Sequence, residues 1–101
     1  MSSAIETVRY VSRDLGINED TLVQESIVEY LKSKIKACMA DRLEIMSRYQ
    51  ISSINEFEDK VADGTIPEHP GWEDLITTEN LQNTIDKLKT ELSHVRSVST
   101  S

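Results

Sequence analysis

The longest segment without a helix breaker runs from Asn18 to Gln50 and contains neither glycine nor proline. Such a segment predicts one long helix. At 1.5 Å per residue this helix would be roughly 45–50 Å long, whereas a compact domain of about 100 residues has a radius of gyration of about 13 Å. We therefore expect an elongated protein, because the rest of a 101-residue chain cannot enclose this helix.

Apolar side chains recur every three or four residues along this segment, which is the spacing of one helix face. The same spacing returns near the C-terminus, where it predicts a second long helix. The two stripes together form a predicted interaction seam made of Ile27, Leu31, Ile35, Cys38, Met39, Ile45, Tyr49, Leu81, Ile85, Leu88 and Leu92. Arg42 interrupts the stripe, and we expect it either to lay its aliphatic stem along the core or to pair with a carboxylate across a dimer.

Local signals for helix ends divide the chain further. Ser3 and Ser53 each begin a Ser-x-x-Glu pattern that is typical of a capping box, and Asn18 suits the N-cap of the long helix. Gly16 and Gly64 suit the ends of the two short helices. These signals predict an all-α domain over 1–96 with helices at about 4–15, 19–50, 54–63 and 71–96, followed by a disordered tail at 97–101.

The predicted architecture is an antiparallel, coiled-coil-like hairpin of the two long helices. A short helix precedes it, and another short helix lies at the tip of the hairpin. Long helices often complete the burial of their apolar faces by oligomerising. We therefore expect a homo-oligomer, most simply a dimer.

The negative charge is concentrated at the predicted tip. The chain carries a net charge of −7, and residues 55–79 contain eight acidic side chains against Lys60 alone, so this block accounts for the whole excess. Such a block repels nucleic acid and attracts basic protein surfaces. The predicted acidic tip consists of Glu56, Glu58, Asp59, Asp63, Glu68, Glu73 and Asp74. Alternatively, these charges only keep the tip solvated.

Both prolines of the chain lie in the segment TIPEHPG at 65–71, which predicts a turn. Because His69 precedes a proline, its backbone is expected to be extended. Trp72 is expected to open the last helix, to bury its ring against the end of the long helix, and to find a partner for its N–H. The predicted anchors of the turn are Phe57, Pro67, Pro70 and Trp72.

No constellation in the sequence predicts catalysis or a cofactor. The acidic side chains around His69 lack the second histidine or cysteine that a metal site of this kind would need. Cys38 and the two histidines fall on different predicted elements, so no nucleophile is paired with a base. The lone cysteine, the absence of a secretory signal and the absence of a membrane-length apolar run predict a cytoplasmic protein with no membrane partner.

The most specific pattern in the chain covers residues 42–92. Tyr49, Ser52, Ser53 and Glu56 precede the run IPEHPGWEDL at 66–75. This pattern resembles that of small acidic helical antitoxin-like proteins of archaea and bacteria, in which Ser-Ser-x-x-Glu and Ile-Pro-Glu-His-Pro-x-Trp-Glu-Asp-Leu join two helices. The resemblance implies a basic, ribonuclease-like toxin as partner, encoded nearby. Gln50 stands where those proteins usually have glycine.

A second similarity covers residues 8–31, around the sequence LGIN at 15–18. It resembles the two helices of ribbon-helix-helix antitoxins and repressors, which read DNA with an N-terminal strand. Only Met1, Ser2 and Ser3 precede the first predicted helix, which leaves no room for that strand. Three functions therefore stay open: an interaction module that binds a basic protein, a structural homo-oligomer without a separate partner, and a DNA-binding repressor.

Overall fold

The computed structural model describes residues 3–99, and these residues form four helices and no strand. The helices are α1 (Ala4–Leu15), α2 (Glu19–Arg48), α3 (Ile54–Ala62) and α4 (Glu68–Ser99). The all-α prediction is confirmed. The predicted disorder is wrong for residues 97–99, because α4 continues through them. Residues 100–101 of the predicted tail lie outside the described residues.

Hydrogen bonds between residues close in sequence define the start of α1, its end and the start of α2. The Ser3 hydroxyl accepts from the Glu6 backbone N–H while the Glu6 carboxylate accepts from the Ser3 N–H, which is the predicted capping box. Gly16 adopts a left-handed conformation with φ of 69° and ends α1. The Asn18 side chain then accepts from two backbone N–H groups, those of Asp20 and Thr21, and begins α2.

The two long helices pack against each other as an antiparallel hairpin. Near the tip the Tyr49 hydroxyl donates to the Asp74 carboxylate, and further down the stem the Arg42 guanidinium donates to the Gln82 side-chain carbonyl. The molecule measures 60 × 33 × 18 Å with a radius of gyration of 19.6 Å. It is therefore elongated, as the length of α2 requires. Arg42 is satisfied by an amide of its own chain.

The hairpin buries only part of the predicted seam. Leu31, Ile35, Ile45 and Ile85 are buried. Five further seam residues are half-buried, namely Cys38, Tyr49, Leu81, Leu88 and Leu92. Ile27 and Met39 keep 42% and 39% of their surface exposed, so the hairpin does not bury them. The reason is geometric: one helix packed on another covers a narrow stripe, and side chains on its flanks stay in water.

The main hydrophobic core lies at the tip end of the hairpin, where α3 packs against α4 and the end of α2. Its buried members are Ile45, Ile51, Phe57, Val61, Ile66 and Leu75. Two of these residues, Ile51 and Ile66, come from the connections that flank α3 and were not among the predicted seam residues. The tip is thus a packed structure, and it provides a firm base for the charged side chains above it.

No helix within residues 3–99 has the length and apolar character needed to cross a membrane.

Candidate protein-interaction surface at the acidic tip

The chain turns from α2 into α3 through an unusual backbone position. Gln50 has a positive φ of 54°, a conformation that L-residues other than glycine, asparagine and aspartate seldom adopt. This is the position at which a glycine was expected from the antitoxin-like pattern. The turn lets Ile51 enter the core and brings Ser53 to the N-cap of α3, where its hydroxyl accepts from the Glu56 N–H.

Glu56 is engaged by the residues that precede α3. Its carboxylate accepts from the Ser52 hydroxyl at 3.1 Å and from the Ser52 N–H at 3.4 Å, and it pairs with Lys60 at 3.4 Å. The reciprocal bond of the predicted box therefore goes to Ser52 and not to the cap residue Ser53. These hydrogen bonds, with a smaller contribution from Lys60, lower the pKa of Glu56.

Asp74 is also satisfied within the chain. Its carboxylate accepts from the Tyr49 hydroxyl and lies 3.9 Å from an Arg48 nitrogen, with 19% of its side chain exposed. Burial of the phenol, together with the hydrogen bond to Asp74 and the negative charge there, raises the pKa of Tyr49 to about 12. Asp74 thus joins α4 to the end of α2, and it contributes little open surface to the tip.

Two further carboxylates are held by short-range contacts but remain exposed. Asp63 accepts from the Thr65 N–H at 2.8 Å, and hydrogen bonding to Thr65 lowers the pKa of Asp63. Glu73 lies 2.7 Å from the Nδ1 atom of His69. The hydrogen bond from its own backbone N–H and the one to His69 lower the pKa of Glu73. Both groups stay ionised near neutral pH.

The remaining members of the predicted acidic tip, Glu58, Asp59 and Glu68, are exposed. Glu68 lines a shallow groove together with His69 and Trp72 at the start of α4. The backbone of His69 is extended (φ −116°, ψ 122°), as expected for the residue before a proline, and it kinks α4 at this point. The kink places the Glu68 and Trp72 side chains on the same groove.

Of the four predicted turn anchors, one is buried and three are exposed. Phe57 is fully buried, and its ring lies 5.0 Å from the Tyr49 ring between centroids. Pro67 and Pro70 are exposed. The predicted burial of Trp72 is wrong, because 52% of its surface is exposed.

The exposure of Trp72 follows from the way α4 faces the core. Gly71, Leu75 and Thr78 are buried, and they lie on one face of the helix at spacings of four and three residues. A Cβ atom on Gly71 would lie only 2.7 Å from Ile66 Cγ2, so the backbone approaches the core closely here. Trp72 is one residue further along and therefore points about 100° away from the core.

Ile76 is the residue that sequence reasoning missed. It follows Trp72 by four residues on the same outer face of α4, and 41% of its surface is exposed. The available signal was the helical period itself: if Leu75 faces inward, the next residue, Ile76, points about 100° away from the core. The tip thus presents an apolar ridge of Trp72 and Ile76 between carboxylates.

This arrangement can bind positively charged groups. The exposed carboxylates attract cations over a distance, and the exposed face of an indole ring binds ammonium and guanidinium groups directly. Residues 3–99 contain no group of three or more His, Cys, Asp or Glu side chains placed to hold a metal ion.

The sequence of the chain matches a known protein family. No curated protein and no solved structure shows significant similarity to this chain. A family model matches residues 1–100, so the protein belongs to the family described as the Uncharacterized protein MJ0235 family.

Proposed function

We propose that this protein is a non-enzymatic interaction module whose acidic tip binds a basic surface of another protein. The observation that carries the proposal is the half-exposed Trp72, which shares a groove with Glu68 inside the block of residues that holds all the excess negative charge. Exposed tryptophan is otherwise unfavourable, and it is the residue type most enriched among the energetically dominant positions of protein interfaces.

The proposed binding combines two physical effects. The ionised carboxylates of the tip speed the encounter with a basic surface and orient it. A lysine or arginine of the partner then stacks on the Trp72 ring, which contributes about 0.5–2 kcal/mol depending on how far the pair is desolvated. The packed core beneath α3 keeps the site rigid, so little conformational entropy is lost on binding.

The nature of the partner is suggested by the antitoxin-like sequence pattern. We propose a small basic protein of the ribonuclease-like toxin class, encoded near this gene. Co-expression of the two genes is expected to give a complex that copurifies at about 50 mM NaCl and weakens at about 500 mM, because screening shortens the reach of the tip charges. If the two products stay separate at low salt, this identification of the partner fails.

A sharper test uses the protein alone. Trp72 is the single tryptophan of the chain, so its fluorescence reports directly on the tip. Titration with an oligo-arginine peptide that lacks aromatic residues is expected to change the emission of Trp72 at low salt. If the emission stays unchanged up to millimolar peptide, the proposed site does not bind cationic side chains.

Matched variants separate the site from general electrostatics. By calorimetry, Trp72→Ala should weaken peptide binding by about ten-fold, which corresponds to about 1.4 kcal/mol. Tyr30→Ala removes an exposed aromatic ring from the stem, where 61% of Tyr30 is exposed, and should leave binding unchanged. An equal loss in both variants would contradict a specific site at Trp72.

The same comparison can be made for charge. Glu58→Gln with Glu68→Gln removes two exposed carboxylates from the tip. Glu25→Gln with Glu44→Gln removes two exposed carboxylates from α2 and keeps the same net charge. The first pair is expected to weaken peptide binding more than the second. Equal effects would mean that net charge, and not the tip, determines binding.

A structural homo-oligomer is the second candidate, and one observation favours it. The N-terminal part of the molecule leaves several large apolar side chains in water, namely Ile5, Tyr10, Leu15, Ile27 and Tyr30. Ile27 and Tyr30 lie three residues apart on one face of α2, and a second copy packed on that face would cover both and would give the predicted dimer. Ile27→Asp is the informative variant, because Ile27 is already exposed and a charge there need not disturb the hairpin.

Sedimentation velocity at several concentrations tests this candidate. Under this candidate the wild type forms a dimer through the surface around Ile27, and Ile27→Asp stays monomeric with an unchanged helical signal. Leu31→Asp serves as the contrast: Leu31 is buried within a single copy, so the variant should lose the hairpin itself. A wild type that is monomeric at every concentration would rule the dimer out.

The DNA-binding alternative stays a prediction from the similarity of residues 8–31. A gel-shift assay with the DNA upstream of its own gene tests it directly.

A further inference from the structure

A cationic groove runs along the stem, between α2 and α4 and away from the tip. Its rim carries Lys32 and Lys36 from α2 and Lys89 and Arg96 from α4. Its floor is apolar and includes Ile35 and Leu92, which are buried and half-buried. The groove has a volume of about 630 Å³. A surface with an apolar floor and a basic rim is suited to an apolar ridge flanked by acidic residues.

Two lysines of this groove, one on each long helix, are open to a partner. Lys36 and Lys89 are exposed. Lys32 pairs with Glu29 at 3.3 Å, but both side chains are more than half exposed, so this pair is weak and open to exchange.

The complementary surface is present on the same chain. Trp72 and Ile76 form an exposed apolar ridge on the first turns of α4, next to Glu73 and within the acidic block. One helix turn separates the two apolar residues, which is the spacing used when a helix packs into a groove between two other helices. The ridge thus has the apolar crest and the negative flanks that the groove would accommodate.

The ridge and the groove of one molecule cannot meet. Trp72 and Leu92 lie on the same helix, and 20 residues of α helix span about 30 Å. A contact between two grooves across a two-fold axis is also unfavourable, because it would place the four cations of each copy against those of the other. Contact between the ridge of one copy and the groove of another avoids both problems, because it needs no bending within one molecule and places negative charges against positive ones.

We propose that the cationic groove of one molecule receives the Trp72–Ile76 ridge of a second copy, head to tail. This proposal goes beyond the proposed function because it assigns a binding role to the stem groove. It rests on the proposed function in that the ridge belongs to the same acidic tip. Because ridge and groove are different surfaces, the contact is heterologous and leaves one free ridge and one free groove at the ends. Association can therefore continue beyond a dimer, into a ring or a chain of copies.

Two variants that each lack one half of the contact test the proposal. Lys36→Glu with Lys89→Glu brings the summed charge of the four basic groove positions to zero and keeps the ridge. Trp72→Ser with Ile76→Ser removes the ridge and keeps the groove. All four positions are exposed, so both variants are expected to keep the helical circular dichroism of the wild type. Lys34→Glu with Lys87→Glu is the control, since it makes the same charge change at exposed lysines outside the groove.

Sedimentation velocity at about 50 mM NaCl is the measurement. The wild type and the control should form species larger than a dimer as concentration rises. Each variant alone should associate at least about ten-fold more weakly. An equimolar mixture of the two variants should form a one-to-one complex and stop there, because only one intact ridge and one intact groove remain between them.

Three outcomes would overturn the proposal: a wild type that is monomeric at all concentrations, variants that associate as strongly as the wild type, or a mixture that forms no complex. Oligo-arginine binding separates this proposal from the proposed function. The groove variant keeps the tip and should bind the peptide as the Lys34→Glu with Lys87→Glu control does, because the two variants carry the same added negative charge. If the peptide fails to bind the wild type while the mixture forms its complex, the proposed function fails and the head-to-tail contact stands.

Discussion

Gly71→Ala is the substitution that most directly tests how the tip is packed. A Cβ atom at this position would lie 2.7 Å from Ile66 Cγ2 and 3.5 Å from Val61 Cγ2. Ile66 and Val61 are both buried in the tip core. The Cγ2 atom belongs to a β-branched side chain with restricted rotation, so it cannot swing aside. The added methyl group must therefore displace the backbone of the turn or of α4.

Two opposing effects set the magnitude. Overpacking a well-packed core costs about 1–3 kcal/mol. Replacing a helical glycine by alanine returns about 0.5–1 kcal/mol, because alanine loses less backbone entropy on folding. For a contact this short the steric cost should exceed the gain, and we expect a net destabilisation of about 1–2 kcal/mol. In a domain of this size, that loss lowers the melting temperature by roughly 4–16 °C.

Urea unfolding followed by circular dichroism at 222 nm measures this difference, with an unchanged dependence on urea as the check on the denatured state. The control is Ile66→Leu, which moves the branch away from Cβ and so removes the Cγ2 atom. The double variant should lose less stability than the two single variants together, because the clash is gone. If Gly71→Ala is as stable as the wild type, or more stable, the close approach of α4 to Ile66 is refuted.

Further predictions concern the turn and the charged groups of the tip. Gln50→Gly should stabilise the protein by about 1 kcal/mol by relieving the positive φ of 54°, and an unchanged or lower urea midpoint would contradict this. The raised pKa of Tyr49 contributes stability that is complete below about pH 10 and is lost as pH rises toward about 12, which ultraviolet titration and unfolding at high pH can follow. The lowered pKa values of Glu56 and Glu73 contribute stability that is complete above the ordinary glutamate pKa and is lost as pH falls from there through the lowered values. NMR titration of their side chains should show both midpoints below that of a free glutamate.

The helix boundaries were largely predictable because they depend on neighbours in sequence. The capping box of Ser3, the N-cap at Asn18 and the left-handed Gly16 all involve bonds within a few residues. The Ser-x-x-Glu pattern that begins at Ser53 was predicted only in part. Ser53 caps α3 as predicted, but the Glu56 carboxylate binds Ser52, one residue earlier. The sequence pattern correctly located the start of α3, but the backbone conformation before α3 determined which serine binds the Glu56 carboxylate.

The acidic surface was predictable as a block but not in its details. The charge of residues 55–79 follows from the sequence alone, and the exposed Glu58 and Glu68 agree with it. Asp74 is different, because it is half-buried and accepts from the Tyr49 hydroxyl. That contact joins residues 25 positions apart, so no local pattern indicates it.

The sequence by itself determined that the chain is helical, that it is elongated, and that its charge lies in one block. These properties depend on backbone propensity, on the period of apolar residues and on composition, all of which are local. Only the tertiary structure decided which face of each helix is covered. At the start of α4 the backbone at Gly71 approaches Ile66 closely and Leu75 is buried, and this orientation of the helix leaves Trp72 exposed to water. A helical period specifies which residues share a face, but the surface that packs against that face comes from elsewhere in the chain.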